Sequence, residues 1–314
     1  MILTPEILSI FILNGIFLFF GLVAFILSIK IYFGWDLNST KQKQYKLEKQ
    51  SYLTATIVKY IFAIKLPLFL FFIFTLDNIS KVLTGAMCAA GVVDATEYGM
   101  YLFILKIINL YLFGFWLILH KLDIANENLP YTKLKFGFFI LAFLVFFTEL
   151  VLETMMFSSI DPAVMVSCCG ALYSSTSTSY ISSFFTIKPL LLLGLFYSNF
   201  LLLLIFYFYK NSYVYAILNI LFLIISIISL IAIFGTYIYE LPTHHCPFCF
   251  LQKDYYYIGY LIYTTLFVGT FFGLAIPFFK KYNYYKISIL FIVFYTIIVS
   301  SYPIIYYIRN GVWL

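Results

Sequence analysis

The chain has 314 residues, of which 64% are hydrophobic and only 10% are charged, and its mean hydropathy is +1.01. A soluble domain carries about 25% charged residues, so this composition excludes a protein that is mostly exposed to water. The net charge of +6 comes from thinly spread lysines that border apolar segments, and it does not indicate nucleic-acid binding.

Apolar segments long enough to cross a membrane follow one another along the chain. About 20 predominantly apolar residues form a transmembrane helix, because backbone groups in lipid must be hydrogen bonded within the segment. Segments such as 190–209 lack the alternation of apolar and polar residues that membrane β-barrel strands show. The sequence therefore predicts an all-α, polytopic transmembrane helical bundle, with residues 1–314 forming a single integral membrane domain. The eight predicted spans are 7–31, 52–76, 100–119, 136–157, 189–209, 214–239, 257–279 and 287–307.

The lysines divide unequally between alternate loops, and this predicts an orientation. Short loops rich in Lys and Arg stay on the cytoplasmic side. The lysine-rich connections are 32–51, 120–135, the link near residue 210, and 280–286. We therefore expect both termini and all three cysteine-bearing loops to be extracytoplasmic, in a protein of the bacterial inner membrane. The first span lacks a basic n-region and a small-residue cleavage site, so we expect it to be retained.

The densest group of potentially reactive side chains lies in the predicted outer loop 240–256. Its order is His244-His245-Cys246-Pro247-Phe248-Cys249, with Gln252 and Lys253 shortly after. Two cysteines at this spacing can close a small disulfide, and nearby cations and helix N–H groups favour a reactive thiolate. The pattern indicates redox chemistry or metal binding. The alternative is a purely structural disulfide in an oxidising compartment.

The run Cys-Pro-Phe-Cys-Phe-Leu-Gln-Lys, ahead of an apolar helix, resembles the Cys-x-x-Cys-x-x-Gln-Arg signature of the DsbB family of disulfide-bond formation proteins. The resemblance covers roughly residues 242–266. Proteins of that family are membrane helical bundles that pass electrons from a periplasmic thiol protein to a quinone. The resemblance implies that Cys246 and Cys249 are the quinone-proximal redox pair. It also implies that Lys253 stands where the family has its quinone-side arginine.

Three further cysteines lie in the other predicted outer loops. Adjacent Cys168 and Cys169 can bond to each other only with strain, and a strained disulfide is easily reduced, which suits a redox shuttle. Alternatively, one of them pairs with Cys88 or with the Cys246–Cys249 motif, or forms one structural disulfide. Cys88 lies among small residues, and taken alone such a cysteine is more often a packed side chain than a ligand, because free cysteine behaves as a small hydrophobic group. We expect an extracytoplasmic thioredoxin-like protein to exchange electrons at Cys168/Cys169 or Cys88, in either direction, with Cys246–Cys249 passing them to quinone.

The same loops are rich in soft metal ligands, which favours a second hypothesis. Thiolate, thioether and imidazole groups select Cu(I), zinc or iron–sulfur centres. If the loops converge, the protein is a soft-metal (copper-type) or haem transport or assembly protein that works with a metal chaperone. A third hypothesis is a structural subunit of a membrane complex. The candidate ligands are Met87, Cys88, Met165, Cys168, Cys169, His244, His245, Cys246 and Cys249.

Charged side chains inside the predicted spans are costly in lipid, so they are expected to be paired or functional. Glu149 and Glu153 are one helical turn apart and share a face, and Lys106 lies at a similar depth on the preceding span. An ion pair of Lys106 with either glutamate is the simpler expectation, and a proton path or a polar site for a quinone head group is the functional one. The residues predicted to bind quinone are Lys106, Glu149 and Glu153 in the spans, together with Gln252 and Lys253, for which the family resemblance implies this role.

Overall fold

A computed structural model describes residues 4–36, 41–126, 128–161, 165–166, 188–279 and 282–314. All regular structure in these residues is helical, and eight of their helices are long and apolar enough to cross a membrane. The predicted all-α class and the predicted number of spans are confirmed. The helices are α1 (Pro5–Gly34), α2 (Gln42–Ser80), the short α3 (Ala89–Asp94), α4 (Gly99–Ile124), α5 (Thr132–Ser159), α6 (Pro189–Tyr209), α7 (Ser212–Tyr239), α8 (Ile258–Phe279) and α9 (Tyr282–Asn310).

Helix α2 begins ten residues before the predicted span, so the interpretation of residues 42–51 as loop was wrong. Gln44, Leu47 and Ser51 recur at helical spacing and are buried. The lysines of this stretch lie on the opposite, exposed face. An amphipathic segment of this kind extends the helix beyond the purely apolar segment that a hydropathy pattern detects.

The chain divides into two compact units, of which unit 1 comprises Met1–Thr84 and Val92–Val166. Within unit 1, α1 packs against α2 and α5, and α4 also packs against α2 and α5, so four helices close a cycle. Phe62 lies in the core of this cycle, stacked on Phe113 with ring centroids 4.2 Å apart and edge-on to Trp116. The prediction of a single domain over 1–314 stays a prediction.

Unit 2 comprises Gly85–Gly91 and Ser167–Leu314. In its described part, α6, α7, α8 and α9 follow one another in contact, and α9 also packs against α6. Helix α7 contains a π-helical turn at Leu230–Phe234, which Gly235 closes by donating its N–H to the carbonyl of Leu230. A Cβ at Gly235 would lie 2.8 Å from that carbonyl oxygen, so glycine allows this wide turn.

Candidate thiol site

Three cysteine side chains meet inside unit 2. The sulfur atoms of Cys88, Cys246 and Cys249 all lie within 4.8 Å of one another, and Cys88 Sγ is 3.5 Å from Cys246 Sγ. All three residues are buried, with exposed fractions of 0%, 1% and 6%. Cys88 and Cys246 are 158 residues apart in the chain, so tertiary folding brings this cluster together.

The Cys-x-x-Cys segment has a local structure that positions both of its sulfurs. Cys249 opens a short 3₁₀ turn, Cys249–Leu251, which ends where the N–H of Gln252 donates to the carbonyl of Cys249 at 3.0 Å. The N–H of Phe248 lies 3.5 Å from Cys246 Sγ. An N–H group that donates to sulfur stabilises a thiolate more than a thiol, so this contact favours reactivity at Cys246.

Two tyrosine hydroxyls hold the backbone of the motif. Tyr239, the last residue of α7, donates its hydroxyl hydrogen to the carbonyl of Cys246 and accepts the N–H of Phe250 at 3.1 Å. Tyr263 on α8 donates to the carbonyl of Pro247 at 2.6 Å. These bonds satisfy polar backbone groups that would otherwise be buried at a cost, and they fix the loop between two helices. Neither residue was predictable from the sequence, because the chain contains 29 tyrosines and nothing distinguishes these two.

Aromatic rings and one glycine form the wall behind the motif. Phe250 is fully buried and packs between the rings of Tyr239 and Tyr263, at centroid distances of 5.9 and 5.5 Å. A Cβ at Gly259 would lie 2.5 Å from the Phe250 ring, so the start of α8 approaches the turn closely. Burial raises the pKa of Tyr255 above its ordinary value, and the neighbouring Cys249 raises it further.

The two histidines frame the loop, but they are not in the group of potential metal ligands that the described residues form at the cysteines. The His244 ring lies edge-on against Tyr239, with centroids 4.4 Å apart. His245 Nδ1 is 3.0 Å from the carbonyl oxygen of Ile231, in the π-helical turn of α7. Their contacts therefore anchor the loop to α7.

The other residues predicted for the thiol and metal sites are not part of the described cluster of three cysteines. Gln252 donates its side-chain amide to the carbonyl of Met87 at 3.1 Å, and so ties the motif to the segment that carries Cys88. The side chains of Met87 and Lys253 are exposed. Met165 belongs to unit 1 and is exposed. The predicted thiols Cys168 and Cys169 lie outside the described residues.

The predicted charged residues of the spans come together in unit 1. Lys106 Nζ lies 2.9 Å from a carboxylate oxygen of Glu149 and 2.9 Å from one of Glu153, so the expected ion pair forms with both glutamates. Lys65 Nζ also contacts Glu149, at 3.4 Å, a pairing that the sequence analysis missed. Whether Lys106, Glu149 and Glu153 bind quinone stays a prediction.

A second buried ion pair corrects the prediction for Lys135, one of the lysines from which the orientation was predicted. Lys135 was assigned to the cytoplasmic loop, but it lies in the first turns of α5 and is buried. Its Nζ is 2.5 Å from a carboxylate oxygen of Asp123, which also accepts the hydroxyl of Thr132 at 2.9 Å. The burial of Lys135 follows from this partner, which the local sequence pattern does not specify.

Comparison with protein-family models, with curated proteins and with solved structures finds no match for the chain. The chemistry of the site therefore has to be inferred from its own side chains. In the described residues these are three buried thiols, two tyrosine hydroxyls that hold the backbone, and the amide of Gln252.

Proposed function

We propose that this integral membrane protein is a thiol–disulfide oxidoreductase in which Cys246 and Cys249 form the redox pair and Cys88 is the exchanging thiol. The observation that carries the proposal is the meeting of their three sulfurs within 4.8 Å. A disulfide requires two sulfurs about 2.0 Å apart. Small side-chain movements therefore suffice to bond Cys246 to either neighbour.

Electron transfer to a membrane quinone forms the first disulfide. The thiols of Cys246 and Cys249 give up two electrons and two protons, and the quinone becomes a quinol. The Cys88 thiolate then attacks Cys246 Sγ, the sulfur 3.5 Å away. The Cys88–Cys246 bond forms, the Cys246–Cys249 bond breaks, and Cys249 leaves as a thiolate, with no net change in oxidation state.

A partner dithiol completes the cycle. It supplies two electrons to the Cys88–Cys246 disulfide, which returns to two thiols while the partner becomes a disulfide. An extracytoplasmic thioredoxin-like protein has the required chemistry. The sequence prediction that Cys168 and Cys169 exchange with this partner stays a prediction, as does the reverse direction of electron flow. Lys253 is exposed, and it remains the candidate for stabilising the quinone anion.

Soft-metal binding is the second candidate, and the burial of three converging sulfurs favours it. A zinc–thiolate bond of about 2.3 Å places sulfurs about 3.8 Å apart around a tetrahedral ion. The described separations, 3.5 Å at one pair and at most 4.8 Å at the others, are close to this spacing. Such a site would suit a copper-type transport or assembly protein that exchanges metal with a chaperone. The haem and structural-subunit hypotheses stay predictions.

The redox state of the five cysteines in native membranes tests the first candidate. The membranes are reduced briefly with dithiothreitol, then given quinone, and remaining thiols are counted with a mass-shifting reagent. We expect quinone to re-oxidise two thiols in the wild type and none in Cys246→Ala, which lacks the sulfur common to both disulfides of the cycle. Cys88→Ala keeps this oxidation but no longer oxidises the partner. Thiols that stay reduced in the wild type after quinone addition would refute the redox proposal.

Elemental analysis of the purified protein tests the second candidate. Metal binding at the cluster predicts about one copper or zinc ion per chain, lost in Cys88→Ala. The double variant Cys168→Ser/Cys169→Ser is the control, since it leaves the three clustered cysteines in place. Protein without stoichiometric metal, or metal that survives Cys88→Ala, would exclude this site as the metal centre.

A further inference from the structure

A closed ring of polar side chains lies inside unit 1. Asn14 Nδ2 donates to Glu153 at 2.8 Å, and the other oxygen of Glu153 lies 2.9 Å from Lys106 Nζ. Lys106 also lies 2.9 Å from Glu149 Oε1, which Lys65 Nζ approaches at 3.4 Å. Lys65 closes the ring by donating to Asn14 Oδ1 at 2.9 Å. The ring joins α1, α2, α4 and α5, so each of the four long helices of unit 1 contributes to it.

The ring is buried and electrically neutral. All five residues are buried, and two ammonium groups face two carboxylates. Taking such charges out of water costs several kcal/mol per ion, and well-packed apolar side chains of similar volume are often at least as stable. Stability alone therefore does not account for four charges in membrane-spanning helices, where ionisable residues usually mark a path or a site.

The two carboxylates of the ring differ in the number of positively charged partners. Glu149 faces the ammonium groups of both Lys65 and Lys106, and Asn109 Nδ2 donates to it at 2.5 Å. Glu153 faces one ammonium group, that of Lys106, and the neutral amide of Asn14. An opposite charge stabilises the ionised carboxylate. Glu153 therefore has fewer positively charged partners than Glu149.

A cavity of about 20 Å³ adjoins the ring. Its polar lining consists of Lys65, Lys106, Glu149 and Glu153, and its apolar lining includes Phe69, Phe72 and Phe113. A water molecule needs about 10–15 Å³ of such space and two to four polar partners. Among the described residues, the buried Oδ1 of Asn109, beside Glu149, accepts no hydrogen bond. The cavity therefore has the size and the polar lining for a water molecule in contact with the ring.

We propose that this ring is a proton-loading site within the membrane-spanning helices of unit 1. A hydronium ion in the cavity gives its proton to the Glu153 carboxylate, which becomes a carboxylic acid, and water is left behind. The ring charge changes from zero to +1, and Lys106 keeps its ion pair with Glu149. Release to water reverses the step. The site uses no cysteine and does not depend on the thiol chemistry of unit 2.

Infrared difference spectra of the full chain in lipid nanodiscs test the proposal. Spectra recorded between alkaline and acidic pH should show a carboxylic acid C=O band at the high frequency of a buried group, shifted in D₂O. Glu153→Gln should remove this band, because the amide keeps the size of the side chain but cannot take up the proton. Glu153→Asp should keep the band at a shifted frequency, and so shows that the site survives substitution.

Asp94→Asn is the control for another carboxyl group. Partial burial raises the pKa of Asp94, which lies on the short helix α3 outside the spans, so its own band could otherwise be mistaken for that of Glu153. Asp94→Asn should leave the buried-group band intact. Absence of the band in the wild type, its survival in Glu153→Gln, or its loss in Asp94→Asn would each overturn the proposal. Circular dichroism of every variant checks that the helices are intact, and where Glu153→Gln is misfolded, Glu153→Asp decides.

Discussion

The two units each contain four membrane-spanning helices in their described parts, but they bury different polar groups. Unit 1 buries six charged side chains, and all described charged side chains of unit 2 are exposed or at least partly so. The polar interior of unit 2 consists of thiols, hydroxyls and amides. The six buried charged residues of unit 1 are Lys65, Lys106, Asp123, Lys135, Glu149 and Glu153.

Because of this difference, substitutions of the buried charges in unit 1 should mainly lower stability, whereas substitutions of the cysteines in unit 2 should mainly remove reactivity. A buried charge that loses its partner keeps its full desolvation cost, so a single substitution in unit 1 should be strongly destabilising. A buried thiol is small and neutral, so its loss should leave the fold of unit 2 nearly intact while it removes the chemistry. Single substitutions in the two units should therefore have different effects on stability and on activity.

The largest effect is expected for Lys106→Met. The substitution removes the ammonium group that bridges Glu149 and Glu153, and leaves one ammonium group, that of Lys65, in a ring with two carboxylates. We expect a loss of about 3–5 kcal/mol in the free energy of unfolding. Thermal unfolding in detergent, followed by circular dichroism, measures it.

Two further variants control this experiment. Lys121→Met removes an exposed lysine from the last turn of the same helix and should change stability by no more than about 0.5 kcal/mol. The double variant Lys106→Met/Glu153→Gln restores a neutral ring and should recover part of the loss. Equal unfolding temperatures for Lys106→Met and Lys121→Met would show that the ring contributes no stability.

A smaller effect is expected for Gly259→Ala. The added methyl group would press on the side chains of Phe250 and Leu251, behind the cysteine turn, and overpacking of this kind costs about 1–3 kcal/mol. Gly194→Ala is the matched control, because nothing lies within 4 Å of its added Cβ. Alanine favours a helix over glycine, so Gly194→Ala should be neutral or stabilising by up to about 1 kcal/mol. Equal unfolding temperatures for Gly259→Ala and Gly194→Ala in the same assay would contradict the close packing of Gly259 against Phe250 and Leu251.

Tyr239→Phe should cost about 1–2 kcal/mol, because the Cys246 carbonyl and the Phe250 N–H both lose their partner. The cysteine loop should also loosen, which faster alkylation of Cys246 by a thiol reagent would report. Tyr256→Phe removes a tyrosine hydroxyl from an exposed side chain, so it should change neither the free energy of unfolding nor the alkylation rate of Cys246. An unchanged alkylation rate in Tyr239→Phe would show that the tyrosine does not hold the loop.

The smallest loss of stability is expected for Cys88→Ala. Removing one buried sulfur resembles removing one methylene group, which costs about 0.5–1.5 kcal/mol. Partner oxidation should nevertheless disappear, because the exchanging thiol is gone. A loss as large as that of Lys106→Met would contradict the division between a charge-dependent unit 1 and a thiol-bearing unit 2.

The helical class and the number of spans were predictable from the sequence. Long apolar segments must form helices in lipid, and two cysteines separated by two residues are close enough in the chain to share a turn. The pairing of Lys106 with Glu149 or Glu153 was predictable because unpaired charges are too costly in a membrane-spanning helix.

The partners of these groups were decided by tertiary packing. Cys88 meets Cys246 across 158 residues, and Asn14 and Lys65 close the ring from α1 and α2, distant in the chain from Glu149 and Glu153. Composition and local spacing alone predict a helical membrane protein and single out its cysteines and its charged residues within the spans as candidate site residues. The structure decided which of them touch, because contacts between distant segments depend on how whole helices pack, and hydropathy and local spacing do not encode that packing.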